Sequence, residues 1–465
     1  MQFNTYEYLL WFLPVVLVMY GLARNFASQQ ATTGLLVVAS LVFYGWHAPK
    51  TVLFLLAMMA FNWTASRPLS RQWGGRALLM AVVAMNLLPL VFYKYTTFLI
   101  PQLRGILKLA APLGISYFTF VQISFAVDTF RGKKVAGFLD YALASVFWPK
   151  LVAGPIVRPA EFADQWRRPC NRRMQSHRIV LAIFIFILGL GKKVVLADSL
   201  GGLADAGWSA QPLTTGAAWL STVAYSLQLY FDFSGYSDMA WGSALLFNIR
   251  LPWNFNSPYK ATSIQDFWRR WHISLSLWLR DYLYFTFGGS RQGLPKTIRN
   301  VFFTFLIGGI WHGAGWTFVI WGAIHGIMLS VNNLWRRLQR RRLPALPGWA
   351  LTALGVHLAW VFFRAPDAMS AFSMLQAMFG FVAESPNAWD WRTSSPVLTY
   401  PFVAVCAAIL LLPNTRYLAY SLMRGFKSPF KIALAGATCG AVILLATVCG
   451  MNESVRSVPF VYFQF

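Results

Sequence analysis

The sequence predicts an all-α polytopic membrane protein, and three observations carry that prediction. Its 465 residues are 57% hydrophobic, 17% aromatic and only 12% charged, against roughly 25% charged in a typical soluble chain. Apolar runs recur along the whole length: Tyr8–Leu22, Leu35–Trp46, Val52–Trp63, Ala77–Tyr93, Ile179–Leu190, Val403–Leu412 and Ala433–Val448. Between them lie short basic clusters: Arg67, Arg71 and Arg76; Arg131, Lys133 and Lys134; Arg167 to Arg178; Arg336 to Arg342; Arg424, Lys427 and Lys431. Such clusters mark cytoplasmic loops under the positive-inside rule.

A crossing helix needs about 20 residues, so the chain holds roughly a dozen candidate crossings, some of them short or re-entrant. The net charge of +25 follows from the loops and does not point to nucleic acid. It adds attraction for anionic membrane lipids or for a phosphate-bearing cytosolic substrate. The start, Met1 to Leu9, carries only Glu7 and lacks the basic region of a cleavable signal. With the first helix closing at Arg24 and a basic cluster before the last apolar run, both termini are expected outside the cytoplasm. Cys170, Cys406, Cys439 and Cys449 show no paired spacing and no zinc pattern.

We read the chain as one integral-membrane domain with three zones. Residues 1–110 hold simple helical hairpins. Residues 111–335 carry nearly all the unusual polar residues and form the expected catalytic core. Residues 345–465 return to ordinary helices, ending in an outward-facing tail. In the middle zone, Pro112-Leu113-Gly114-Ile115-Ser116, Ala153-Gly154-Pro155-Ile156 and Phe231 to Asp238 predict kinked or broken helices, tolerated where they are buried in protein or line a cavity. Asp232 and Asp238 then either pair with arginines or line that cavity.

Ser263 to Tyr284 reads as an interfacial helix. Asp266 and Arg270 can pair across one turn, as can His272 and Ser276, and Trp268, Trp271, Trp278 and Tyr282 supply interfacial aromatics. It is either a surface helix whose arginines meet headgroups, or one whose Arg269, Arg270 and Arg280 face an anionic donor while His272 points inward. His312 lies in Gly308-Gly309-Ile310-Trp311-His312-Gly313-Ala314-Gly315-Trp316, where small neighbours leave room for a ligand or a close backbone. A neutral imidazole there can take a proton from a hydroxyl attacking a thioester and return it to the leaving thiolate. His325 is expected near the opposite end of the same helix, in a structural or entry role. His47, His177 and His357 read as bland.

Leu229 to Met239, Asp266 to Tyr284 and Gly308 to Gly326 together resemble the membrane-bound O-acyltransferase family, over most of the chain. Within it the sequence is similar to the bacterial polysaccharide O-acetyltransferase branch typified by alginate O-acetylase, with cellulose and peptidoglycan acetylases as near relatives. The resemblance implies a set of helices around a central funnel or tunnel, in a bacterial inner membrane. It implies acetyl-CoA as acyl donor, no metal, an exported polysaccharide as acceptor and a periplasmic esterase-like partner. It makes His312 the catalytic histidine and places His272 on the family's second signature position. Lys150, in Phe147-Trp148-Pro149-Lys150, departs from the alginate enzymes, which carry His there.

The tail Pro459-Phe460-Val461-Tyr462-Phe463-Gln464-Phe465 reads either as an interfacial anchor or as an acyl relay on the Tyr462 phenol. The site expected is thus His312, His272 and Tyr462 for chemistry, with Arg269, Arg270 and Arg280 on the donor. Peptidoglycan O-acetylation and D-alanyl transfer remain open as related chemistries. A polysaccharide or lipid-intermediate transporter is the competing class, although the paired repeats common in transporters are not visible.

Overall fold

The computed structural model describes the chain except residues 47, 104–110, 134, 136, 170–174, 210–212, 340–342, 382–395, 426–428 and 451–465, and, within helices, the side chains of 396–400, 429–433 and 446–450. Among the described residues every regular element is helical. Among the described residues six helices are long and apolar enough to cross a membrane: α1 (Glu7–Phe26), α3 (Pro49–Ser70), α4 (Gly75–Leu99), the run Ser176–Ser209, α15 (Trp316–Gln339) and α16 (Ala345–Arg364). This is a multi-pass α-helical membrane protein.

The chain divides into two compact units. The first comprises Met1–Gly189, Tyr236–Trp253 and Leu422–Gly436. It contains α1, α2 (Gln29–Gly45), α3 and α4, followed by α5 (Ile115–Phe130), α6 (Phe138–Val146), α7 (Trp148–Leu151) and α8 (Pro159–Arg167). In hydrocarbon, hydrophobicity cannot drive helix pairing, so small polar groups act as glue. The buried Asn62 of α3 and Asn86 of α4 do this, exchanging amide hydrogen bonds of 2.9 Å in both directions. Gly114 and the Gly154-Pro155 stretch do break the backbone, before α5 and between α7 and α8, as the sequence predicts.

The second unit comprises Leu190–Gly235, Asn254–Ser421 and Ala437–Phe465. α9 (Ser176–Gly191) continues through a π-helical stretch, Lys192–Ala197, into α10 (Asp198–Ser209). The π stretch directs Lys193 to two buried carboxylates, Asp198 at 2.7 Å and Asp232 at 2.8 Å. Asp232 therefore pairs with a lysine, where the sequence suggests arginine partners. The segment around it is unbroken: Phe231 to Asp238 lies within α11 (Thr215–Leu246), a continuous helix. Its glycine and serines are covered by packing on all sides, which stabilises a helix that local propensity alone would weaken.

The remaining helices are α12 (Ile264–Trp268), α13 (Ile273–Leu279), α14 (Leu294–His312), α15 and α16, then α17 (Ala368–Met378), α18 (Pro396–Ile409), α19 (Thr415–Arg424) and α20 (Pro429–Gly450). α14 and α15 form a hairpin at glycine contact distance. A Cβ on Gly309 would stand 2.4 Å from the Phe318 carbonyl oxygen, and one on Gly322 would stand 2.6 Å from that of Phe305. His312 and His325 are consequently on different helices. The sequence reads one helix through both, but Gly313 to Gly315 turns the chain back. The turn is enforced by packing, since a Cβ on Gly313 would fall 2.0 Å from the Phe318 ring.

Candidate active site in the α12–α15 cavity

Ser263 to Tyr284 is helical, but not as one helix. Ser263 caps α12 by accepting from the Asp266 amide at 3.2 Å. The chain then turns at His272, whose backbone is left-handed (φ 41°, ψ 55°), a conformation non-glycine residues adopt rarely and at a cost of about 1–2 kcal/mol. The surrounding structure over-determines it. The Asn254 carbonyl accepts from Ile273 N–H at 3.0 Å, the Asn256 N–H donates to the Arg270 carbonyl at 3.0 Å, and Ser274 Oγ donates to Asn254 Oδ1 at 2.6 Å. α13 follows, ending in a π-helical turn over Arg280–Tyr284.

A cavity of about 510 Å³ runs between these short helices and the α14–α15 hairpin. α12 and α13 contribute Gln265, Trp268, Arg269, Ser276 and the adjoining Arg280; α14 contributes Thr297, Thr304, Gly308 and His312; α15 contributes Trp321 and Asn333. From Thr297 to His312 the lining follows α14 for about 22 Å at 1.5 Å per residue. A second cavity, of about 450 Å³, shares Ser290, Thr297 and Asn333 with the first and adds Arg336 and Arg337. It lies at the far end of the hairpin from His312. Both linings include arginines, and among the described residues neither includes a carboxylate. That is the electrostatic character of a passage for an anionic molecule.

His312 closes the last turn of α14 and is only 6% exposed. Three aromatic rings hold it: Trp311 at 4.8 Å, Trp321 at 5.0 Å and Phe363 of α16 at 5.3 Å between centroids. Trp321 also meets His325 edge-on at 4.7 Å, and Trp268 donates its indole N–H to His325 Nδ1 at 3.2 Å. His325 is thereby bound into the wall of the hairpin. His357, read as bland for lack of polar company, does have it: Ser226 Oγ lies 2.9 Å from Nδ1 and Thr222 Oγ1 3.3 Å from Nε2. Its ring stacks on Trp219, so the role is packing within the helix bundle.

The other expected site residues separate. Arg269 and Arg280 line the cavity with His312. Arg280 also pairs with Asp281 at 2.7 Å. Arg270 is not among the lining residues; it pairs with Asp266 at 2.9 Å, the partner its spacing predicts. His272 is fully buried outside the lining, with the Phe233 ring edge-on at 4.7 Å and 90°. Burial pushes its imidazole down to about 3, so it is neutral in ordinary conditions. Tyr462 lies outside the described residues. Sequence reasoning missed Trp321, Thr304 and Asn333, because their common face appears only once the hairpin is closed. It read Arg336 and Arg337 as loop charges, and the clue available was their place at the end of α15, beyond Asn333.

The family profile of the membrane-bound O-acyltransferases matches residues 5–375. Curated relatives include a peptidoglycan O-acetyltransferase of Helicobacter pylori, 41% identical over 81% of this chain and 80% of that protein. A probable alginate O-acetylase of Pseudomonas aeruginosa is 38% identical over 82% of this chain and 75% of its own length. Another, of Pseudomonas putida, is 35% identical across the full length of both. With its helical fold and its cavity, the chain belongs to the membrane-bound O-acyltransferase family and is an O-acyltransferase.

Proposed function

We propose that this membrane O-acyltransferase is an O-acetyltransferase, moving acetyl from cytosolic acetyl-CoA across the bilayer for O-acetylation of an exported polysaccharide. The observation that supports this reading most is a pair of adjoining cavities: one joins His312 to Arg269 and Arg280, and the other, sharing Ser290, Thr297 and Asn333 with it, is lined by Arg336 and Arg337. A donor with phosphates at one end and a thioester at the other is matched by arginines along the passage and an imidazole at its deep end. His312 acts as general base. It takes the proton of the attacking hydroxyl as the new C–O bond forms, and gives it to the thiolate released when the C–S bond breaks. His272, buried outside the lining, supports the site from behind.

The first acceptor in this proposal is the Tyr462 phenol, which hands the acetyl to the polymer through a periplasmic esterase-like partner. The protein would sit in the bacterial inner membrane with both termini in the periplasm. The relatives' names supply two acceptor polymers, peptidoglycan and alginate; the proposal extends to a similar exopolysaccharide.

Incubation of purified protein with isotopically labelled acetyl-CoA, followed by peptide mass spectrometry, tests both steps. We expect label on the C-terminal peptide of the wild type and none in Tyr462→Phe. In His312→Ala, acetyl transfer should fall by about 10²–10⁴-fold while the protein still inserts. If His312→Ala transfers acetyl at the wild-type rate, the base assignment is lost. Full labelling of Tyr462→Phe would remove the relay alone.

A further inference from the structure

A third cavity, about 580 Å³ in volume, shares no lining residue with the two just described. It opens between the loop Asn256, Ser257 and Lys260 and the segment Leu411 to Tyr420. Among the described residues its lining holds two cations, Lys260 and Arg416, together with Asn414, Tyr417 and Tyr420, and no Asp or Glu. The cations are held in place by their surroundings. Lys260 Nζ donates to the carbonyls of Leu411 at 3.0 Å and Leu412 at 3.1 Å, which occupies two of an ammonium's three N–H groups. The Arg416 guanidinium lies 5.8 Å from the centre of the Tyr420 ring.

The frame is equally fixed. Asn414 donates to Asn256 Oδ1 at 3.0 Å and to Ser257 Oγ at 2.8 Å, and its own Oδ1 caps α19 by accepting from Tyr417 N–H at 2.9 Å. A further cation, Lys192, donates to the Thr415 hydroxyl at 2.8 Å. α19 buries Thr415 and Ala419 on one face and exposes Tyr417 and Tyr420 on the other. A short helix with exposed tyrosines and basic residues suits the headgroup level of a membrane. In a multi-pass membrane protein the anions abundant at that level are phosphate esters.

We propose that the groove between Lys260 and Arg416 is a binding site for a phosphate ester, separate from the His312 cavity. The same chemistry is offered by an anionic lipid headgroup and by a soluble nucleotide. The ammonium and guanidinium bind the phosphate oxygens, the Asn414 region sets their spacing, and the tyrosines flank the esterified group. A groove this large holds a substituted phosphate more readily than a bare ion.

The test uses full-length protein purified in a neutral detergent, with phosphatidylglycerol scored by native mass spectrometry and 3′,5′-adenosine diphosphate by equilibrium titration. Lys260→Gln/Arg416→Gln should weaken whichever of the two binds here by about tenfold or more. Arg416→Lys, which keeps the charge, and Arg424→Gln, which removes a charge outside the groove, should retain it. Loss of phosphatidylglycerol alone identifies a lipid site, and loss of the nucleotide alone a soluble phosphate site. Retention of both ligands in the double variant overturns the proposal, and so does a wild type that binds neither. If the double variant fails to fold, Arg416→Gln alone is compared with Arg416→Lys, and equal binding by the two overturns the proposal as well.

Discussion

The imidazole of His312 meets the indole of Trp321 edge-on, with centroids 5.0 Å apart and planes at 85°. The same indole meets His325 at 4.7 Å, so one side chain of α15 is wedged between the histidines of two helices. Trp321 is 2% exposed. Truncation to Ala would remove the wedge and should cost about 3–5 kcal/mol in stability. Trp321→Phe keeps most of the volume and should leave a folded protein with a lower kcat and little change in donor KM. Steady-state acetyl transfer on that variant, beside its melting temperature, separates orientation of His312 from simple loss of packing.

Arg269 and Arg270 are neighbours in sequence with different expected fates. Arg269 lines the cavity, whereas Arg270 is occupied by Asp266. Arg269→Gln should raise the donor KM by about tenfold with a weakened dependence on ionic strength. Arg270→Gln should lose a partly exposed ion pair worth about 0.3–0.5 kcal/mol and leave KM near wild type. Equal effects of the two substitutions on KM would sink this distinction.

The far mouth of the passage makes its own prediction. Arg336 and Arg337 line the outer cavity, which meets the first at Thr297, about 22 Å along α14 from His312. Arg336→Gln/Arg337→Gln should slow capture of an anionic donor, lowering kcat/KM while kcat is preserved at saturation. A fall in kcat with unchanged KM would place these arginines in a folding role instead.

The hairpin is sensitive to a single methyl group. Gly322→Ala would bring a Cβ to 2.6 Å from the Phe305 carbonyl, which the packed pair cannot absorb without separating. Overpacking of this kind costs about 1–3 kcal/mol. Thermal unfolding in detergent should show a clear drop in melting temperature together with loss of activity. Gly202→Ala, where nothing lies within contact distance, serves as the control.

His272 predicts a pH dependence of stability. Burial lowers its folded-state value from 6.5 to about 3, so between those values the unfolded chain binds the proton and the folded chain does not. Stability is therefore fully present above pH 6.5 and is lost as the pH falls towards 3, with a slope of at most about 1.4 kcal/mol per pH unit. His272→Asn removes the titration and retains a residue that tolerates the left-handed backbone. Its melting temperature should fall less than the wild type's between pH 7 and pH 5. Parallel curves would show that the imidazole is not the titrating group.

Much of this was legible in the chain. The long helices follow the apolar runs because a bilayer-length stretch must satisfy its own backbone. His312 stands out because small residues surround a polar one, and the Asp266–Arg270 pair follows from helical spacing alone. The errors share one cause. Glycine and serine in Phe231 to Asp238 look like a break, and Gly313 to Gly315 looks like part of a continuing helix, yet the reverse holds in both places. Local propensity is a small energy, and burial against neighbouring helices overrides it.

By itself the sequence determined that the chain is an α-helical membrane protein, where its unusual polar residues lie, and the family it resembles. Those properties depend on composition and on spacing within one helix. Tertiary structure alone decided that His312 and His325 stand on opposite sides of a glycine hairpin, that Arg269 enters the cavity while Arg270 is held by Asp266, and that His272 turns the chain behind it. Each of these depends on which atoms occupy the space beside a residue, and that space is made by segments far away in the chain.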